Sequence, residues 1–132
     1  MTRVLLSADP VDAAALRAAV ADPRAGAVVL FEGVTREVDS LEYEAYDEMA
    51  VERIEEIAAE AEARHGLCAV AVAHRTGRVP LSEPSVLVAV SAPHRSEAFA
   101  GAREVIDRVK TEAPIWKREP DGWVPGTQPA TR

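Results

Sequence analysis

At 132 residues, 48% hydrophobic and 28% charged, the chain has the composition of one globular domain that can bury most of its apolar surface. No apolar run approaches the ~18 residues of a membrane-spanning helix, and a single cysteine, Cys68, excludes a disulfide framework or a thiolate metal cluster. A net charge of −7 argues against general nucleic-acid binding, and the lone thiol fits a reducing cytoplasm.

The chain opens with a short strand expected over 3–7 (RVLLS). Asp9 and Pro10 interrupt the apolar stretch there, so it does not read as a secretion signal. Asp9 is expected to cap a helix that has Pro10 at its first position and runs to about Ala21. The apolar run 26–33 (GAVVLFEG) predicts a buried strand. Leu41, Tyr43 and Ala45 alternate with Glu42, Glu44 and Tyr46, which marks a half-exposed strand. From 47 the period turns helical. Ala50, Ile54, Ile57, Ala58 and Ala61 form one apolar face, and Gly66 is the stop. The other face is strongly acidic and reads as solvated. Val70 and Val72 belong to a strand reaching Arg75, 77–81 to a short strand or turn, and 85–92 (SVLVAVSA) to another strand. A last helix is expected over 96–112, burying Ala98, Ala102, Val105, Ile106 and Val109 until Pro114 ends it. Short strands follow at 115–118 and 123–124, and PGTQPATR reads as a loose tail. Two long helices among blocks of short strands indicate an α+β domain without internal repeats or linkers.

Only two lysines occur, Lys110 and Lys117, in the segment KTEAPIWKRE; the other thirteen basic residues are arginine. A lysine supplies what arginine does not, a compact amine that acts as base or nucleophile once its pKa is lowered. Two amines flanking Pro114 therefore suit a reaction centre. Depletion of lysine in an Ala- and Arg-rich composition explains the same pattern as readily. Lys110 also sits where the negative end of a helix dipole favours any cation, and Lys117 where a solvated strand residue would stand.

Other candidates carry equally ordinary alternatives. His94 and Arg95 precede a helix, where free N–H groups favour an anion, so they form a phosphate seat or else a cap and a surface arginine. Arg36 follows a buried strand, at a cleft or simply in a loop. The pair His74–Arg75 reads as structural, or as a subunit contact. Three histidines without clustered Cys or Asp give no metal signal, and neither a phosphate loop nor a nucleophile elbow is present, so no metal or cofactor is expected. The segment 94–118 carries six fixed positive charges against four negative, a basic island suited to a small anion.

FEGVTR (31–36), LEYEAYDEMA (41–50), HRTG (74–77), HRSEAF (94–99) and the lysine segment occur in an order that resembles the MoaE family, the large catalytic subunit of molybdopterin synthase. The resemblance covers roughly 26–123. It implies an α/β-hammerhead type fold with an antiparallel β subdomain, a catalytic domain over 1–124 and a flexible tail at 125–132. It implies a sulfurtransferase that inserts two sulfurs into cyclic pyranopterin monophosphate to form the molybdopterin dithiolene. The sulfur would come from the C-terminal Gly-Gly thiocarboxylate of a small ubiquitin-like subunit. The resemblance puts His94, Arg95 and Lys110 in one pocket, yet sixteen helical residues separate His94 from Lys110 by ~24 Å, so a homodimer with shared sites, within a heterotetramer, is expected. By the same resemblance Lys110 and Lys117 are catalytic, and Val34, Thr35, Arg36, His94, Arg95, Arg118 and Glu119 bind substrate. The alternatives are a non-catalytic phosphate- or pterin-binding protein of the same fold, in which arginine would replace either lysine with little loss, and a scaffold that binds the partner without sulfur transfer. The connection between Arg36 and Tyr46 is several residues shorter than in many members, and the chain ends soon after Trp123, which puts contacts from a longer loop or tail in doubt.

Overall fold

The computed structural model describes residues 1–119 and 122–125, so the expected tail at 125–132 lies outside the described residues beyond Pro125. Two four-stranded sheets and three helices make up the described fold. The first sheet runs β1 (Thr2–Ser7), β4 (Ala69–Arg75), β6 (Pro84–Ala92), β2 (Ala27–Val34) in that spatial order. Only the β1–β4 pair is parallel. The second sheet, wholly antiparallel, runs β5 (Gly77–Pro80), β3 (Ser40–Ala45), β7 (Ile115–Glu119), β8 (Gly122–Pro125). The helices are α1 (Ala13–Ala19), α2 (Asp47–His65) and α3 (Arg95–Glu112). This is the α+β arrangement that the helix and strand periods indicate, with the antiparallel subdomain that the family resemblance implies.

The strand period of two decides which helix each residue meets. Val70 and Val72 of β4, with Val86, Val88 and Val90 of β6, pack against the apolar faces of α2 and α3. Ala69, Ala71, Ala73, Leu87 and Ala89 point the other way, against Leu16 and Val20 of the α1 segment. The small alanines on that face let α1, about two turns long, lie close. The buried residues of α2 are the five apolar ones expected. Gly66 ends the helix at φ +65°, a left-handed backbone that glycine adopts without Cβ strain.

Three details differ from the sequence reading. α1 starts after Asp12, not Asp9: the Asp12 carboxylate accepts the Ala15 N–H at 3.0 Å, whereas the Asp9 N–H donates to Ser7 Oγ. Pro10 therefore stands outside the helix. β2 is a sheet edge rather than a buried strand, so its side chains alternate between half-buried and exposed, with Leu30 and Val34 in the open. The acidic face of α2 is also less simply solvated than expected. Glu60 pairs with Arg108 of α3 at 2.9 Å, and Arg53 bridges Glu56 and Glu112. Glu104 of α3 receives Arg64, His65 and Arg108. Burial pushes its carboxyl up, but those three hydrogen bonds outweigh burial and hold its pKa at about 2.

Candidate active site

A cleft of about 410 Å³ opens where the two sheets meet the end of α3. Gly33 and Val34 close β2 along one edge, followed by Arg36, Glu37 and Val38 of the short connection to β3. Leu41 and Tyr43 of β3, Ser85 of β6, Lys110 and Lys117 complete the lining. Gly33 has a local reason to be glycine: a Cβ there would stand 2.8 Å from Val86 Cγ1.

Both lysines reach the cleft for reasons visible in their elements. Lys110 is in the last turn of α3, half-buried, where the helix dipole favours its charge. Ala113 and Pro114 then turn the chain into β7, whose residues alternate in direction. Ile115 faces the core, and Lys117 shares that face. Tyr43 stands directly opposite Lys117 in the β3–β7 register, and both line the cleft.

The other expected residues divide. Val34 and Arg36 line the cleft with the lysines. Thr35 between them is 1% exposed, and its hydroxyl donates to the Val79 carbonyl at 3.4 Å. Arg118 alternates to the opposite face of β7, exposed and 3.9 Å from Glu42. The backbone of Glu119 ends β7. His94 is 80% exposed at the N-cap of α3, its Nδ1 3.2 Å from Glu97, and Arg95 beside it is exposed. They stand at the far end of the helix from Lys110, sixteen residues away, or ~24 Å at 1.5 Å per residue. One chain does not bring them to the cleft.

Tyr43, Leu41, Glu37, Val38 and Ser85 were not foreseen as lining. The register between β3 and β7 places Tyr43, and a single sequence carries no register between strands seventy residues apart.

His74 lies behind the cleft. It is buried, with its ring edge-on to Tyr43 at 5.1 Å and 71°. Its Nδ1 lies 2.7 Å from the Arg75 carbonyl, which only accepts, so that nitrogen carries the proton. Burial, aided by the positive charge of Lys110 and opposed by the Arg75 carbonyl, holds its pKa down to about 4. The folded ring is therefore neutral at pH values where the unfolded chain, at 6.5, takes up a proton. The sign follows: stability is full above pH 6.5 and falls as pH drops to about 4, by up to ~3 kcal/mol. The urea midpoint should fall across that window and fall less in His74→Asn, whose amide keeps a donor for the Arg75 carbonyl. Equal losses in the two proteins contradict the assignment. Glu104, with its depressed pKa, acts lower, between 4.5 and about 2.

A second groove of about 440 Å³ runs between β2 and α3, lined by Leu30, Phe31, Phe99, Ala102, Arg103, Ile106, Asp107 and also by Lys110. Phe99 is 63% exposed in it.

Comparison with known proteins gives the chain's relatives. The family described as MoaE protein matches residues 6–112. A relative named "Molybdopterin synthase catalytic subunit" from Oryza sativa subsp. indica is 51% identical over 106 residues, 76% of this chain. The chain spans about half of that relative's length, 55%. Among solved structures, the molybdopterin biosynthesis MoaE protein from Burkholderia ambifaria MC40-6 superposes with a TM-score of 0.84 at 40% identity, covering 98% of this chain and 92% of that one. The molybdopterin synthase from Staphylococcus aureus does so with a TM-score of 0.84 at 32% identity, covering 92% and 95%.

Proposed function

Because the chain belongs to the MoaE protein family, we propose that it is the catalytic subunit of a molybdopterin synthase. It would transfer sulfur from a small carrier's C-terminal thiocarboxylate to cyclic pyranopterin monophosphate, forming the dithiolene. One observation carries this reading: the only two lysines, from α3 and β7, meet in one cleft with Arg36. Arg36 offers the phosphate a charge-assisted, bidentate partner. The only cysteine, Cys68, is buried in the core, so the sulfur has to be delivered. A lysine amine holds a thiocarboxylate by charge, or accepts its acyl group, and moves the protons that sulfur transfer requires. A flexible Gly-Gly end is thin enough to thread to Lys110, a carboxylate-capture mode of recognition.

The reading extends to a two-fold homodimer within a heterotetramer. His94 and Arg95 serve the same phosphate only if a second chain supplies them. What supports this pairing is the place of the β2–α3 groove. Ala102 and Arg103, which line it, lie midway between His94 and Lys110 along the helix. An axis passing there, with the two α3 helices antiparallel, sets the start of each beside the end of the other. Phe99 and Leu30 supply apolar area, and Arg103 and Asp107 supply opposite charges on the same face.

Reconstitution tests the assignment. This chain, a thiocarboxylated carrier and the pterin precursor should yield the dithiolene. A carrier lacking its terminal Gly-Gly should yield none, while its body still binds. Equal yield from the truncated carrier contradicts the threading.

A further inference from the structure

The sequence pair His74–Arg75 is not used by the reading above, yet Arg75 is only 5% exposed. A buried guanidinium is costly unless paired, so its partners matter. Its Nη1 donates to Glu83 at 2.8 Å and its Nη2 to the Arg78 carbonyl at 3.4 Å, while its Nε is buried with no partner among the described residues. Arg75 thus grips β5 at Arg78 and, at Glu83, the last residue of the turn that joins β5 to β6.

That turn in turn grips the segment after β2. The Thr35 N–H donates to the Glu83 carbonyl at 3.1 Å, and the Ser82 N–H donates back to the Thr35 carbonyl at 2.7 Å. The Thr35 hydroxyl adds its bond to Val79, and Ser85 Oγ donates to the Gly33 carbonyl at 3.3 Å. Ser82 takes φ +68°, a left-handed backbone uncommon outside glycine, to make its bond. Thr35 is therefore fixed at two points by a turn that Arg75 anchors through Glu83, and at a third by β5. Its immediate neighbours are Val34 and Arg36, both lining the cleft. The Arg36 side chain is 80% exposed and among the described residues makes only a long contact to Glu37 at 3.9 Å, so its root at Thr35 is the firmly held part.

We propose that Arg75, through Glu83 and Thr35, is a positioning residue that aims Arg36 at the phosphate of the substrate. This rests on the sulfur-transfer reading of the cleft, but its test separates the two. Glu83 is 47% exposed, so Glu83→Ala removes the clamp without opening the core. In an enzyme whose wild type turns over, Glu83→Ala should raise KM for the pterin monophosphate roughly fivefold and leave kcat within about twofold. In an Arg36→Ala background the same change should add nothing to KM, because the clamp acts through Arg36. An unchanged KM in Glu83→Ala, or an equal rise in both backgrounds, overturns the proposal. Arg75→Lys, which keeps the charge and loses the fork, should raise KM likewise, and a wild-type KM there overturns it too. A purely structural tether would lower the thermal transition and leave KM alone. Should the wild type transfer no sulfur, the functional reading fails, and the clamp is read by amide exchange. Thr35 and Ser82 should exchange roughly tenfold faster in Glu83→Ala, and unchanged exchange overturns the clamp.

Discussion

Lys110→Arg is expected to keep the fold and lower sulfur-transfer turnover by about a hundredfold or more. The fold survives because the position is half-buried in the last turn of α3, where arginine has a similar helix propensity and the same favourable charge. Turnover does not, because a guanidinium stays protonated and is a poor nucleophile, whereas an amine gives up its proton and attacks. The chain uses arginine for thirteen of its fifteen basic residues, so charge alone does not account for lysine here. Lys117→Arg should cost less, since Lys110 would remain. Steady-state turnover together with a thermal melt checks this. Near wild-type turnover in Lys110→Arg, with a normal melt, would sink the catalytic assignment and favour an anion-binding scaffold.

The second large effect is rescue between two nearly inactive proteins. Lys110→Ala and His94→Ala homodimers should each be weak, because every shared pocket lacks one of its groups. After subunit exchange, a mixed dimer holds one pocket lacking both groups and one pocket lacking neither. Random pairing makes half the dimers mixed, so roughly a quarter of wild-type turnover should return. The ~24 Å between His94 and Lys110 along α3 is what makes this outcome large: within one chain no small substrate spans it. No recovery, with exchange demonstrated by mass and both parents weak, would rule out the shared pocket.

The long helices were legible because their faces repeat many times. Five apolar residues of α2 and five of α3 sit at helical spacing, and all are buried. Short signals were weaker. Asp9 followed by Pro10 imitates a helix start as well as Asp12 does, and only the hydrogen bond to Ala15 separates them. The apolar run of β2 reads the same at a sheet edge as in its middle, since run length does not report how many neighbours a strand has. For the cleft, resemblance pointed to Lys110, Lys117 and Arg36, and the fold brings these three together. It does not bring Arg118 there, because one step along β7 reverses the side-chain direction. Tyr43 and the supporting role of Arg75 depend on pairings between distant segments, which no local pattern encodes.

The most direct measurement follows the sulfur itself. The small carrier is thiocarboxylated with heavy sulfur and mixed in a single turnover with this chain and cyclic pyranopterin monophosphate. Mass analysis should find both dithiolene sulfurs heavy, with the carrier returned as its carboxylate and the reaction lost in Lys110→Arg. Heavy sulfur that stays on the carrier, or enters the pterin equally well without this chain, would contradict the assignment of sulfur transfer to the Lys110–Lys117 cleft.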